Sequence, residues 1–152
     1  MPDLITPKDA ADFLLVESRE RGELLTNLKL QKLLYYAQAW HLALKGTPLF
    51  QEDFKAWVHG PVLTSQYVRF RDFQWRPIEL DGAHPDINAE LKSHLIDIID
   101  EFGVESAVGL ELMTHREKPW LEARGDLAPD QPSNAKISKD TMRAFYQALA
   151  EA

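Results

Sequence analysis

The sequence contains no cysteine, which excludes disulfides and thiolate-held zinc outright. No apolar run approaches the ~20 residues that cross a bilayer, so neither a spanning helix nor a membrane partner is expected. The opening residues, MPDLITPKDAADF, lack the basic-then-apolar pattern of a secretory leader. Together these absences predict a cytoplasmic location. The 7 glycines are scattered, with neither the GxGxxG nor the Walker-type loop that cradles phosphates, so no nucleotide cofactor is expected. Basic residues are the minority: 17 Lys and Arg stand against 24 Asp and Glu, a net charge of −7. That balance argues against nucleic acid as the main partner, because such affinity comes from neutralising phosphates. The histidines, His41, His59, His84, His94 and His115, include no pair at four-residue helical spacing and no His-Glu-x-x-His. A zinc-hydrolase motif is therefore missing, as is a Gly-x-Ser-x-Gly nucleophile elbow.

What is present describes an ordinary folded domain. At 152 residues, 45% hydrophobic and 27% charged, the chain is sized for a single domain over residues 1–152 with a substantial core. Its organising stretch is Asn27 to Gly46, NLKLQKLLYYAQAWHLALKG. Leu30, Leu33, Leu34, Ala37, Trp40 and Leu44 recur at three- and four-residue steps, which places them on one side of a helix. Leu28, Tyr35, Ala39 and Leu42 fall on the opposite side. Two narrow seams remain for polar groups, one with Lys29 and Lys32, the other with Gln31, Gln38 and Lys45. A helix apolar on two sides must be packed on two sides. Asn27 is expected to cap it, with Gly46 closing and Pro48 preventing continuation.

The remaining chain predicts further helices around this one. Thr6-Pro7-Lys8-Asp9 starts a helix to about Glu20, with Thr6 as cap and Ala10, Phe13 and Leu14 inward. Phe54 to Val58 alternates like a short strand, Gly60-Pro61 interrupts it, and Arg76 to Leu80 reads as a second strand. Between them a short helix is expected over Leu63–Arg71, capped by Thr64. Asn88 to Phe102 carries a clean Leu91, Leu95, Ile98, Ile99, Phe102 stripe. Ser106 caps a helix to about Met113 whose inner face is read as Val108, Leu112 and Met113. Pro119 to Arg124 adds one turn, Gly125 to Asn134 is a loop, and Ser138 caps a last helix with Met142, Phe145, Tyr146 and Leu149 inward. The fold class is mainly α: five to six helices around a central buried helix, with a small β hairpin inserted.

The run Lys29 to Gln38 (KLQKLLYYAQ) resembles the characteristic helix of the Panacea domain family, the SocA-like antitoxins and phage GepA-like proteins. Pro48-Leu49-Phe50, Ala56-Trp57, Gly60-Pro61-Val62, Thr114-His115 and Pro119-Trp120 are similar to that family's later motifs, in the same order. The resemblance covers roughly residues 6–146. It implies a phage-associated or toxin–antitoxin protein that binds a cognate protein toxin directly, without enzymatic activity, metal or cofactor. An alternative role is an adaptor that hands the bound toxin to a cytoplasmic protease. The motif positions Gln31, Tyr35, Trp57, Gly60, Pro61, Thr114, His115 and Trp120 are read as structural.

Three local combinations invite chemistry. His59 and His115 with an acid could form a site assembled from distant positions, giving a small metal-dependent hydrolase as the enzymatic alternative. Thr114-His115 with Pro119-Trp120 reads as a helix end, where His115 binds freed carbonyls, against a recognition pocket or catalytic imidazole. His41, on the main apolar stripe, reads as a core histidine bonded to backbone. Asp97, Asp100 and Glu101 read as a solvated face. The third combination is Gln66 to Arg76, where Tyr67, Phe70, Phe73 and Trp75 are interleaved with Arg69, Arg71 and Arg76. Aromatics and arginines anchor protein interfaces; the same mixture stacks single-stranded bases or packs partly into the core. Tyr67, Arg69, Arg71, Trp75 and Arg76 are the partner-binding candidates.

Overall fold

The computed structural model describes residues 3–152; Met1 and Pro2, part of the expected 1–152 domain, lie outside the described residues. The Thr6 hydroxyl accepts from Asp9 N at 3.0 Å and Pro7 takes the first helical position, so α1 runs Pro7–Glu20 as the sequence predicts. The central helix, α2, spans Asn27–Lys45 and ends on Gly46 at φ 77°. Its cap is Thr26 rather than Asn27: the Thr26 hydroxyl accepts from Lys29 N at 3.3 Å. Asn27 sits one residue inside and is buried.

The helix is enclosed more completely than the two-sided pattern requires. Lys29, Gln31, Lys32 and Gln38, expected on polar seams, are all buried, whereas Leu44, expected on the inner stripe, is 61% exposed at the last turn. Each of these four buried polar side chains has a partner, which is the condition for burying it. Gln38 donates to Phe50 O at 2.9 Å and accepts from Leu49 N at 2.7 Å. Lys29 meets Glu23 at 2.6 Å and Gly103 O at 2.7 Å. His41 Nδ1 donates to Thr47 O, the core role its position predicts.

Lys55–Trp57 (β1) and Gly60–Val62 (β2) form an antiparallel hairpin with Ala56 opposite Pro61. Gly60-Pro61 is thus the return strand itself and not an interruption. Gly60 adopts φ 102°, which its missing Cβ permits. Arg76 to Leu80, expected as the second strand, is not one; Ile78 N–H donates to Leu25 O at 2.7 Å and its side chain is buried. The helix α3, Thr64–Phe70, starts without a side-chain cap, Thr64 being its first residue, and a 3-10 turn Arg71–Phe73 follows.

Asn88 caps α4, Ala89–Phe102, whose stripe faces inward as predicted. Ser106 caps α5, Ala107–His115, but its inner face is Leu110 and Thr114. Val108 and Leu112 are 61% and 48% exposed. Nine residues hold two competing apolar edges, and packing against α2 and β2 selects between them. Lys118–Arg124 forms α6 and Lys139–Glu151 forms α7, the latter capped by Ser138. Met142 and Tyr146 of α7 are buried against α2, while Leu149, expected inward, is exposed. Seven α-helices therefore occur among the described residues, because Thr64–Phe70 and Lys118–Arg124 are helices in their own right. The class is mainly α with one small hairpin, as expected. Among these residues no helix is long and apolar enough to cross a membrane.

Candidate partner-binding groove

The hairpin lies against the first turns of α2, and side chains take the place of a third strand. Pro61 has no N–H to offer; its carbonyl accepts from Lys32 Nζ at 3.1 Å. Leu63 N–H donates to Gln31 Oε1 at 2.9 Å. Gln31 in turn donates to Asn27 Oδ1 at 2.9 Å, and Asn27 donates to Tyr67 O at 3.1 Å. Burial pushes the Lys32 ammonium down to about 7, a nearby Glu111 carboxylate opposing the shift.

On the other edge of the hairpin, Ala56 N–H donates to Ala135 O and Ile137 N–H to Phe54 O, both at 2.9 Å. Trp120 Nε1 donates to Trp57 O at 2.9 Å and Arg124 Nη1 to Ala56 O at 2.9 Å. The buried Arg124 guanidinium also binds Ala128 O and Gln131 O and lies 4.8 Å from the Trp120 ring centroid. It thereby shapes the loop after α6.

Between α2, the hairpin turn, α3, α5 and that loop lies a groove of about 1010 Å³. Its walls are mostly apolar: Leu28, Trp57, Val58, Val62, Tyr67 and Val108. Trp57 and Tyr67 meet edge to face at 4.9 Å, and Trp57 Nε1 donates to Asn134 Oδ1 at 3.0 Å. Asn27, Gln31 and Lys32 form the floor, and Glu111 and His59 stand opposite one another at 3.3 Å. Trp75 stands at the rim, 79% exposed, next to Gln74 at φ 56° and ψ −121°. That backbone conformation is strained for a residue with a Cβ.

Of the partner-binding candidates, Tyr67 and Trp75 come together here with the motif residues Gln31 and Trp57. The arginines do not line the groove. Arg69 pairs with Asp12 at 2.7 Å and lies over Phe70, and Arg76 donates to Phe73 O and Asp72 O in its own turn. Arg71 is exposed on the 3-10 turn. Gly60, Pro61, Thr114, His115 and Trp120 lie behind the groove. Tyr35 is deeper still, its hydroxyl 3.0 Å from that of Tyr146. Sequence reasoning missed Leu28, Val108, Glu111 and the Pro132–Asn134 rim; none has a local signal, since only the fold brings them together. Lys32 lies inside the quoted motif run yet reads as an ordinary surface lysine.

His115 stacks on Trp120, centroids 4.1 Å apart, and its Nε2 is buried without a hydrogen-bond partner among the described residues. Burial lowers its pKa. Among the described residues, the grouping with three ligand atoms within 4.8 Å is Glu17, Glu20 and His84, and includes neither His59 nor His115. There His84 Nε2 already meets the two carboxylates at 3.0 and 3.4 Å.

Comparison with known proteins adds two findings. The family model described as "Antitoxin SocA-like, Panacea domain" matches residues 30–121, which include most of α2, the hairpin, α3, α4 and α5. Over 61 residues the chain is 39% identical to Antitoxin SocA of Caulobacter vibrioides, a stretch amounting to 40% of this chain and 32% of that relative. The match thus spans about a third of the curated relative's length. No solved structure matches.

Proposed function

Because the chain belongs to the Antitoxin SocA-like, Panacea domain family, we propose that it is an antitoxin that neutralises a cognate protein toxin by direct contact through this groove. The supporting observation is Trp75, 79% exposed at the rim of a mostly apolar cleft. A buried tryptophan contributes large contact area at low entropic cost, which makes it the side chain expected at the centre of an interface. Left in water beside Leu28, Tyr67 and Val108, it extends an apolar surface of the kind that marks a binding site. The action is non-enzymatic and steric: the groove covers the toxin's working surface in the cytoplasm. The polar groups on its floor already have hydrogen-bond partners within the fold, so they hold the shape of the groove and are not poised for reaction.

The test is co-expression with the product of the adjacent reading frame. Wild type is expected to restore growth, and Tyr67→Ala with Trp75→Ala to abolish rescue while circular dichroism stays unchanged. Rescue that survives the double change would move the interface off the groove.

A further inference from the structure

Among the described residues that line the groove, Glu111 is the one acid. Its carboxylate is mostly buried, and its recorded partner is a three-quarters exposed His59 at 3.3 Å, too long for a strong charge-assisted bond. The second carboxylate oxygen makes no hydrogen bond among these residues. The other charged group here, Lys32, is sealed behind the floor at 0% exposure and donates to Pro61 O. Towards solvent the groove therefore presents a carboxylate with aromatic walls, Trp57, Tyr67 and Trp75. Such walls attract cations through their ring faces, and the chain as a whole carries −7. Its own arginines nearby are engaged elsewhere, Arg69 with Asp12 and Arg76 with its own turn.

Resting on the antitoxin reading, we infer that the groove seats an arginine of the toxin, its guanidinium on the Glu111 carboxylate and stacked against the aromatic walls, with apolar neighbours along Leu28, Val58 and Val62. Arginine fits better than lysine because its flat guanidinium can stack and bind a carboxylate through two parallel donors at once. The occupant is thus an arginine flanked by apolar residues, and the positive charge of the interface comes from the partner.

The experiment is calorimetric titration of the full chain with the toxin from the adjacent reading frame. Glu111→Gln, which keeps the side-chain shape but removes the His59 contact and the negative charge near Lys32 and His115, is expected to weaken binding by about 30-fold or more, the usual cost of breaking a desolvated charge pair. Trp75→Ala is expected to weaken it by a similar factor. In double-mutant cycles against toxin Arg→Ala changes, one arginine should lose its effect in the Glu111→Gln background. Tight toxin binding with Glu111→Gln within threefold of wild type, or with no arginine coupled to it, overturns this inference and leaves the antitoxin reading standing. A toxin that does not bind at all removes the antitoxin reading and this inference with it. Dimers of the chain that Trp75→Ala dissolves would give the groove to a second copy and also overturn it.

Discussion

A Cβ at Gly60 would lie 2.5 Å from Lys32 Cε, so a side chain at residue 60 would force the buried lysine to shift. The same glycine holds φ 102°. Gly60→Ala therefore meets overpacking and backbone strain together, each costing about 1–3 kcal/mol. Urea denaturation is expected to show a loss of about 2–5 kcal/mol, less than additive with Lys32→Ala, because the two changes share a contact.

Lys32 also sets the pH dependence of stability. Its folded pKa of about 7 lies below the ordinary lysine value near 10.4. Between those values the unfolded chain binds more protons than the folded one, so unfolding free energy rises with pH. The rise is expected to total a few kcal/mol from pH 7 to 10 and to vanish in Lys32→Met. Above pH 10 the sign reverses, because burial holds the Tyr35, Tyr36 and Tyr146 hydroxyls protonated well beyond their usual range. Thermal melts across pH 6–11 measure both limbs.

Glu117 receives two buried hydroxyls, Tyr36 at 2.7 Å and Tyr146 at 2.8 Å, and burial raises its pKa. With Tyr146 donating to the carboxylate, Tyr35 donates to Tyr146. Tyr36→Phe leaves the carboxylate one donor short and is expected to cost about 1.5–3 kcal/mol at pH 8. The loss should shrink under acidic conditions, once Glu117 is protonated. Urea denaturation followed from pH 8 down into the acidic range tests the difference.

Arg124 joins the hairpin carbonyl of Ala56 to the loop carbonyls of Ala128 and Gln131. Lysine has one compact ammonium and cannot span that fork. Arg124→Lys is expected to destabilise by about 2–4 kcal/mol, the range for a broken buried polar network. Residues 125–134 should then exchange amide hydrogens faster than in wild type, read by mass spectrometry.

Gln74 stores strain at φ 56° and ψ −121°. Gln74→Gly relieves about 1–3 kcal/mol of it and loses roughly 1 kcal/mol through unfolded-chain entropy. A net gain of about 1 kcal/mol is expected. Trp75→Ala, at a surface position, should stay within about 0.5 kcal/mol of wild type. Urea midpoints separate the two outcomes.

The helices were legible where a cap and a long stripe coincide, as at Thr6 with α1 and Asn88 with α4. Short elements were not. In α5, Val108 and Leu112 form as good a stripe as Leu110 and Thr114, and the choice belongs to α2 and β2. Gly60-Pro61 carries breaker residues, yet it pairs as a strand because its outward bonds come from Gln31 and Lys32 and not from another strand. The aromatic content of the groove could be read from Tyr67 and Trp75. The placement of Arg69 away from it could not, since Asp12 is 57 residues earlier in the chain.

The closed hairpin edge has one more consequence. With Pro61 O and Leu63 N–H occupied by side chains of α2, and Ala56 and Phe54 taken by residues 135–137, the ribbon offers no main-chain template to a visiting chain. Neither runaway β assembly nor recognition by strand augmentation can start there. A partner docking at this ribbon would have to be selected by the shape and charge of its side chains and not by its backbone.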